Sequence, residues 1–228
     1  MTEDIINTPW DSRVFGFNTF EIFYTSDEQL KNTLDTILQK ESYGHYTIKI
    51  NPLASKKILH EFGFYYCDTL IEPYCHPDKL VKHRKEGVHL SESVDFQELR
   101  KIVYGSFIYD RFHRDFNIES HLADMRYDLW LQDIWQKKQV FALMFLDHIA
   151  GFWAYSDQKI LLHTLSKEFR GQGLSKYFWS VACEKLFTKG YPEITSSISV
   201  ANVPVLNLYS SLGFNFRNPV DIYHLFLN

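Results

Sequence analysis

The spacing of apolar residues along the first third of the chain predicts alternating strands and helices. Runs of aromatic and β-branched residues predict strands, and apolar residues three or four positions apart predict helices. The elements predicted in this way are a strand over 15–23, a helix over 27–40, a strand over 45–50, a helix that ends at Gly63 and a strand over 66–75. A polar, basic segment at 76–87 then breaks the pattern, and we interpret it as the connection between two subdomains, residues 1–85 and 86–228.

The rest of the chain continues in the same alternating manner. The predicted elements are a strand near 88–90, a helix over about 95–109, a helix over 120–137, two strands around a turn at Asp147 and His148, a strand over 159–166, a helix that stops at Gly190, a strand over 193–200, a helix over 203–212 and two final strands. Antiparallel strands followed by a β-α-β-α-β order predict an α/β fold (an α+β mixed sheet).

One internal similarity relates the two halves. Shifted by 150 positions, residues 48–64 lie over residues 198–214. The matching positions are Ile48 with Ile198, Ile50 with Val200, Ile58 with Leu208, Gly63 with Gly213, and Phe64 with Phe214. A chance similarity and a structural repeat are equally compatible with this pattern. In the second case Leu59 occupies the place of Tyr209, and the first copy serves as scaffold.

Composition and charge narrow the class of protein. The chain has 228 residues, 45% of them hydrophobic and 17% aromatic, which predicts a globular protein with a sizeable core. Its net charge of -4 argues against a nucleic-acid partner. Three cysteines without metal spacing favour a reducing compartment. The acidic amino terminus and the absence of any apolar run of about 18 residues predict a cytoplasmic protein with no membrane partner.

The stretch "LSKEFRGQGLSKYFWS" at 165–180 places Gly171 and Gly173 between a predicted strand and a predicted helix. It lacks the spacing of a P-loop and the third glycine of a dinucleotide fingerprint. Backbone amides from Arg170 to Leu174, together with the start of the helix, could instead form an anion site to which Arg170 adds a charge. The alternative is an ordinary strand-to-helix turn.

This stretch resembles the acetyl-CoA loop of the GNAT acyltransferase superfamily, with Glu168 as a departure at the first motif position. "SVANVPVLNLYSSLGF", further along, resembles the family's second signature. The resemblance implies the GNAT acyl-CoA N-acyltransferase fold, with an amino-terminal subdomain resembling a degenerate half of it, and acetyl-CoA as co-substrate. Two parallel strands, here 160–166 and 194–200, would splay to admit the pantetheine arm. The residues implied in cofactor binding are Leu165, Ser166, Arg170, Gly171, Gln172, Gly173, Leu174, Ser175 and Asn202.

The resemblance also gives catalytic candidates. It places Tyr209 as the acid that protonates the departing thiolate, since a phenol with a pKa of about 10 stays protonated at neutral pH. The alternative is a tyrosine packed on a helix face. His163 could act as base directly or through water, and a core histidine is at least as compatible with its position. Asp157, Glu168 and a water chain are the other candidates for this step.

A narrower resemblance concerns the acceptor. "TPWDSRVFGFNTFEI", "EFGF" and "FIYDRFHRDFN" are similar to segments of dTDP-fucosamine N-acetyltransferases, which implies a nucleotide-linked amino sugar as small-molecule acceptor. Arg111, His113 and Arg114 would then bind the substrate phosphates, with Phe112 or Phe116 stacking on the base. The alternative is a solvated loop with incidental charges.

Rival functions stay open at this point. A protein, peptide or polyamine N-acetyltransferase would need no nucleotide-holding module, and a non-catalytic GNAT-fold protein would bind CoA without turnover. We expect no metal, because the spacing of the potential ligands does not require a site; these are His113, Asp115, His121 and Asp124. The oligomeric state stays open, a homodimer included.

Overall fold

The computed structural model describes residues 4–40 and 43–228. Its helices are α1 (Pro9–Phe15), α2 (Asp27–Gln39), α3 (Lys57–Glu61), α4 (Phe96–Val103), α5 (Ser120–Gln136), α6 (Ser175–Phe187) and α7 (Val203–Ser211). Its strands are β1 (Ile5–Asn7), β2 (Thr19–Ile22), β3 (Gly44–Ile50), β4 (Tyr65–Cys75), β5 (Val88–Ser91), β6 (Val140–Phe145), β7 (His148–Ser156), β8 (Lys159–Leu165), β9 (Ile194–Thr195), β10 (Ile198–Ser199) and β11 (Asn215–Leu227).

The chain forms two compact units that do not follow chain order. The first comprises Met1–Leu70, Tyr109–Arg126 and Pro219–Asn228, and the second comprises Ile71–Ile108 and Tyr127–Asn218. Their bounds differ from the predicted division at 85/86, because later segments return to the amino-terminal strands. Strands β4 and β11 each contribute residues to both units.

In the first unit the strand order is β1-β2-β3-β11-β4, and β2 runs parallel to β3. Helix α2 begins at the N-cap Ser26, whose hydroxyl accepts from the Gln29 N–H. Its apolar face, including Leu30 and Leu34, packs against the strands around Ile48 and against Leu59 of α3. Alternating apolar residues of the strands and the 3.6-residue period of α2 therefore bury one common core.

Two predictions in this unit are wrong at their boundaries. The predicted strand over 15–23 begins with the end of α1, which has Pro9 in its first turn and stops at Gly16 with φ of 78°. A left-handed residue at this position ends a helix, so only Thr19–Ile22 is extended. The helix predicted to end at Gly63 is confirmed only as the short α3.

In the second unit, β5 to β8 form consecutive antiparallel pairs, and β8 is followed by β9 and β4. Helices α6 and α7 cover one face of this sheet through a core that includes Phe178 and Leu212. Helices α4 and α5 cover the other face through a core that includes Leu99 and Leu131. This mixed sheet between helical layers confirms the predicted α/β architecture.

The second unit also departs from the predicted elements. The strand predicted over 193–200 is interrupted and forms β9 and β10, both of which pair with β4. The two final strands predicted after Gly213 are one long strand, β11, which continues through Asn218 despite its φ of 52°. Asn218-Pro219 is a dipeptide typical of turns, yet here it lies within the strand.

The polar segment 76–87 lies entirely in the second unit and contains no helix or strand. Leu80 is buried in the α6–α7 core. The Val81 N–H donates to the Leu212 carbonyl at 3.0 Å, and the His83 N–H donates to Ser180 Oγ at 2.9 Å. The segment is therefore held along this unit by specific hydrogen bonds.

Within the described ranges 4–40 and 43–228, no helix is both long enough and apolar enough to cross a membrane.

Candidate active site

The loop between β8 and α6 presents unpaired backbone amides at the start of a helix. Gly171 and Gly173 have φ of 72° and 68°, a conformation that favours glycine. Leu174 is buried and anchors the loop to the core. No side chain caps α6, and its first turn contains no acidic residue. Among the described residues, the amides from Gly171 to Ser175 have no acceptor, so they are available to an anion.

A cleft of about 530 Å³ opens beside these amides, a size usual for ligand sites. It is lined by residues of the loop, of α7 and of the segment before β5: Lys85, Gln172, Gly173, Ser175, Lys176, Tyr177, Pro204, Asn207, Leu208 and Ser211. The lining contains two lysines and no carboxylate, so its charge favours an anionic ligand.

Strands β8 and β9 pair only at their beginnings and separate after that. They are parallel and share a single register pair, Lys159 with Thr195. The later residues of β8 thus have no strand partner on that side among the described residues. This observation agrees with the predicted splaying of strands 160–166 and 194–200.

The backbone of β8 offers hydrogen-bonding groups to this gap. The Ser166 N–H donates to the Ala150 carbonyl at 2.8 Å, on the β7 side. Because successive residues of an antiparallel strand point their backbone groups to opposite sides, His163 and Leu165 direct theirs away from β7. The Ser166 hydroxyl is buried and has no partner among the described residues. A ligand in the gap would therefore meet unsatisfied polar groups.

Two side chains of the loop are used internally. Arg170 Nε donates to the Leu165 carbonyl at 2.8 Å, and Arg170 Nη2 donates to Ser106 Oγ at 2.6 Å. Gln172 Nε2 donates to the Glu168 carbonyl at 2.5 Å. Arg170 thus fastens the end of β8, and the positive character of the cleft comes from backbone amides and from Lys85 and Lys176.

Tyr209 and His163 lie side by side. Tyr209 Oη is 3.0 Å from His163 Nε2, and the His163 ring also lies edge-on to Trp179 with centroids 4.8 Å apart. His163 therefore faces α6 and α7, which alternation along β8 did not determine. Tyr209 is fully buried in the same core. The two residues form one hydrogen-bonded pair.

Burial governs the protonation of this pair. It lowers the pKa of His163 to about 4, so the imidazole is neutral at pH 7. It also raises the pKa of Tyr209 well above its ordinary value, with a hydrogen bond from Ser196 opposing the shift. A neutral imidazole beside a protonated phenol is an arrangement that orients the hydroxyl without adding a charge.

Helix α7 positions Tyr209 through its start. Asn202 is the N-cap, and its side chain accepts from the Val205 N–H at 3.4 Å. Pro204 follows in the first turn, where its missing N–H costs nothing. The same helix presents Asn207 and Ser211 to the cleft, four residues apart and so on one face.

The comparisons with known proteins agree with this geometry. Residues 106–214 match the model of the acetyltransferase (GNAT) family. This match covers a little under half of the chain. A search of curated proteins found no match. The matched residues include the glycine loop, the splayed strands and the Tyr209–His163 pair.

Solved structures show the same fold at low identity. A GCN5-related N-acetyltransferase from Sphaerobacter thermophilus is similar with a TM-score of 0.66 at 12% identity, over 98% of this chain and 76% of the other. A tandem GNAT protein from the clavulanic acid biosynthesis pathway has a TM-score of 0.56 at 9% identity, over 92% and 75%. An acetyltransferase from Colwellia psychrerythraea has a TM-score of 0.56 at 12% identity, over 86% and 72%.

The predicted acceptor residues lie in the first unit, and each has a partner there. Arg114 Nη1 donates to Asp68 Oδ1 at 3.0 Å. His113 pairs with Asp110 and, at 3.4 Å, with Asp124, and these carboxylates raise its pKa against the opposing effect of burial. The guanidinium of Arg111 stacks over Phe112 at 4.6 Å.

The two predicted stacking residues have different surroundings. Phe112 is buried between Arg111 and Arg126, whose guanidinium lies 4.5 Å from its ring centroid. Phe116 is 79% exposed and packs on Tyr65 with centroids 4.5 Å apart. Only Phe116 of these two could stack on a base from solution.

Sequence reasoning missed several cleft residues. Lys176 directly follows Ser175, and the spacing of Asn207 and Ser211 on α7 could have indicated them. Lys85 gave no such signal, because it approaches Tyr177 only through the folded segment 76–87; its Nζ lies 5.7 Å from that ring centroid.

Proposed function

We propose that the protein transfers an acetyl group from acetyl-CoA to the primary amine of a nucleotide-linked amino-deoxysugar. The observation that carries the donor half of the proposal is the uncapped start of α6 beside the splayed end of β8. The amides from Gly171 to Ser175 would bind the pyrophosphate, with Lys85 and Lys176 nearby in the same cleft.

The pantetheine arm would enter the gap between β8 and β9. Its amides would pair with the backbone groups of His163 and Leu165 that point away from β7, in the manner of an added strand. The buried Ser166 hydroxyl offers a further polar contact. For full pairing at Leu165, Arg170 Nε must share or release the carbonyl that it now contacts. Asn202 would act on the cofactor indirectly, by starting α7.

In the proposed reaction the amine nitrogen attacks the thioester carbonyl carbon, which forms the C–N bond and an oxyanion. A backbone N–H of β8 would stabilise that oxyanion, an effect worth about 2.7–4 kcal/mol for one well-placed donor. The C–S bond then breaks, and the Tyr209 hydroxyl gives its proton to the thiolate. The nitrogen loses one proton to water, and water returns a proton to Tyr209. The products are the N-acetyl sugar and CoA thiol.

His163 takes a different role here from the base considered in the sequence. A group with a pKa of about 4 is a weak base at pH 7. Its position 3.0 Å from Tyr209 Oη suits a residue that orients the phenol. We therefore assign deprotonation of the amine to water and the orientation of Tyr209 to His163.

The acceptor half of the proposal rests on the loop of the first unit. Arg111 and Arg114 would attract the diphosphate, and Phe116 would stack on the base. Arg114 also lies 5.7 Å from the Tyr66 ring centroid. A diphosphate would have to share Arg114 with Asp68 and His113 with its two carboxylates, so these ion pairs would orient the cations before the substrate binds.

The experiment is a thiol-release assay with acetyl-CoA and a panel of acceptors: dTDP- and UDP-linked amino-deoxysugars, spermidine and a lysine peptide. We expect turnover confined to the sugar nucleotides. Turnover confined to the peptide or spermidine would contradict the acceptor class, and CoA binding with no turnover of any amine would favour a non-catalytic protein.

A pair of arginine variants sharpens the assay. Arg114→Ala should raise the KM for the sugar nucleotide about tenfold, since charged hydrogen bonds contribute roughly 1.5–3 kcal/mol. Arg84→Ala is the matched control, because Arg84 also pairs with a carboxylate, Glu184, but lies in the second unit. Equal effects of the two substitutions would remove the argument for Arg114.

A further inference from the structure

A buried carboxylate in the first unit collects hydrogen bonds from three strands. Asp115 Oδ2 accepts from His45 Nε2 of β3 at 2.8 Å and from His224 Nδ1 of β11 at 2.6 Å. Asp115 Oδ1 accepts from the hydroxyl of Tyr65, on β4, at 2.9 Å. The side chains of Asp115, His45 and His224 are 0–1% exposed. We call these four residues the Asp115 hub.

The hub satisfies its carboxylate completely. The Asn117 N–H is the fourth donor to the carboxylate and contacts Oδ1 at 2.8 Å, and Asn117 Nδ2 donates to Tyr65 Oη at 2.8 Å. Burial raises the pKa of Asp115, but the hydrogen bonds from His224 and His45 outweigh it and bring the pKa well below its ordinary range. A charged, fully bonded carboxylate in this position is costly to leave unpaired, so it fixes its loop firmly.

The donor types could also suggest a metal ion. Two imidazoles and a carboxylate offer ligand atoms within 4.8 Å of one another. However, ligands at about 2.0–2.1 Å from a tetrahedral zinc stand roughly 3.3 Å apart. The separations of 2.6 and 2.8 Å are those of charge-assisted hydrogen bonds. The geometry therefore favours a proton-linked network over a metal centre.

The hub is joined directly to residues that could contact the acceptor. Asp115 lies between Arg114 and Phe116 in the chain. Tyr65 contacts both Asp115 and Phe116. Its hydroxyl donates to Asp115, and its ring packs against the exposed ring of Phe116 with centroids 4.5 Å apart. If the Tyr65 hydroxyl lost its hydrogen bond to Asp115, the Tyr65 ring that packs against Phe116 would become mobile. Arg114 is fixed separately, through Asp68.

We propose that Asp115 is a positioning residue for the acceptor: it fixes residues 109–118 on β3, β4 and β11 so that Phe116 and Arg114 present one arrangement to the nucleotide. This role rests on the proposed function. It assigns to the first unit a task in acceptor recognition, performed by a network that contacts no substrate itself.

The test measures Michaelis constants separately for acceptor and donor, with the sugar nucleotide that the wild type acetylates. Asp115→Asn should raise the acceptor KM at least about tenfold, because the buried network loses its negative charge and one of its two acceptor oxygens is replaced by a donor. Tyr65→Phe should raise it roughly threefold, since it removes one hydrogen bond and keeps the ring. In both variants kcat and the KM for acetyl-CoA should stay within about twofold, which general loss of folded protein would not reproduce.

Asp128→Asn is the matched control, because Asp128 is an equally buried carboxylate that binds Arg100 in the second unit. It should leave the acceptor KM unchanged. If Asp115→Asn does not fold, Tyr65→Phe decides, together with hydrogen exchange over 109–118, which should be faster in that variant.

Three further outcomes would each contradict one part of the proposal. An unchanged acceptor KM in Tyr65→Phe and in folded Asp115→Asn would overturn the positioning role. Stoichiometric zinc binding by the wild type, lost in Asp115→Asn, would replace the hydrogen-bonded hub with a metal site. Failure of the wild type to acetylate any sugar nucleotide would contradict the proposed function, and with it the acceptor role.

Discussion

The chain contains two β-α-β-α-β segments that share an element order and differ wherever a cofactor would bind. The first runs from β2 to β4, and the second from β8 to β11. Their last helices end alike: Gly63 and Gly213 have φ of 81° and 85°, and the next N–H, of Phe64 or Phe214, donates to the carbonyl of Leu59 or Tyr209. This agreement supports the internal repeat at an offset of 150 residues.

The first difference between the two segments is the extent to which their parallel strands pair. In the first segment the parallel pair β2 and β3 stays in register over four residue pairs, from Thr19 with His45 to Ile22 with Ile48. In the second, β8 and β9 share only one pair. Backbone groups that are satisfied by a neighbouring strand in the first segment are left for a ligand in the second.

The two segments also differ in how their first helices, α2 and α6, begin and in one core position. Helix α2 begins with Asp27 and Glu28 and is capped by Ser26, so its amides and dipole are already satisfied. Helix α6 has neither acid nor cap, and Gly171 and Gly173 precede it. Leu59 is buried among apolar residues where the second segment has Tyr209 and its partner His163. A few local changes thus separate a scaffold from a site on one topology.

The largest expected effect concerns Tyr209, which occupies in the second segment the position that Leu59 has in the first. Tyr209→Phe should lower kcat by about 10²–10⁴-fold, the usual contribution of a positioned general acid, with little change in the KM for acetyl-CoA. Steady-state thiol release measures it. Tyr155→Phe is the control, because Tyr155 is buried in the same core and its hydroxyl binds only Lys189 in the described structure. Equal loss in both variants would assign the effect to packing.

The desolvated imidazole of His163 should make the stability of the second unit depend on pH. His163 has a folded pKa of about 4 against an ordinary value of 6.5, so the unfolded chain binds its proton first as pH falls. The stabilisation is complete above pH 6.5 and is lost as pH falls toward 4, by about 3 kcal/mol in total. Denaturant unfolding of wild type and His163→Gln should diverge in this window. Parallel pH profiles would contradict the assigned burial.

Exchanging first-turn residues between α2 and α6 tests whether the start of α6 binds an anion. Ser175→Asp would give α6 the acidic first turn of α2, and it should weaken acetyl-CoA binding about 30-fold, equivalent to roughly 2 kcal/mol. The reciprocal Asp27→Ser should leave that dissociation constant unchanged and cost at most about 1 kcal/mol of stability. Calorimetric titration provides the constants. Undiminished binding by Ser175→Asp would place the pyrophosphate elsewhere.

The smallest expected difference lies between the two helix-ending glycines. Both Gly63→Ala and Gly213→Ala force alanine into a left-handed conformation, which costs about 1–2 kcal/mol. At Gly213 the new Cβ would also lie 2.2 Å from the Lys79 carbonyl, whereas at Gly63 the nearest atom is 4.0 Å away. Gly213→Ala should therefore cost about 1 kcal/mol more. Equal unfolding free energies would mean that segment 76–87 moves aside freely.

The GNAT fold and the conformation of the glycine loop could be predicted because their determinants are local. Helix periodicity, the glycines at 171 and 173, and the Asn202 N-cap act within a few residues of one another, so they are visible in the sequence. The boundaries that failed have two different causes. Pro9 and Gly16 mark α1 locally, but the apolar composition of the segment favoured a strand. Strand β11 continues past Asn218 because residues from Asp221 onward pair with β3, which is distant in the chain.

The sequence by itself determined which residues could carry chemistry, and the tertiary structure decided their partners. Tyr209 and His163 are 46 residues apart and meet only when α7 packs on β8. Asp115 gains two histidines and Tyr65 because the chain returns to the first unit. Lys85 joins the cleft because segment 76–87 folds along the second unit. Hydrogen bonds and burial between distant positions follow from packing, which no local pattern records.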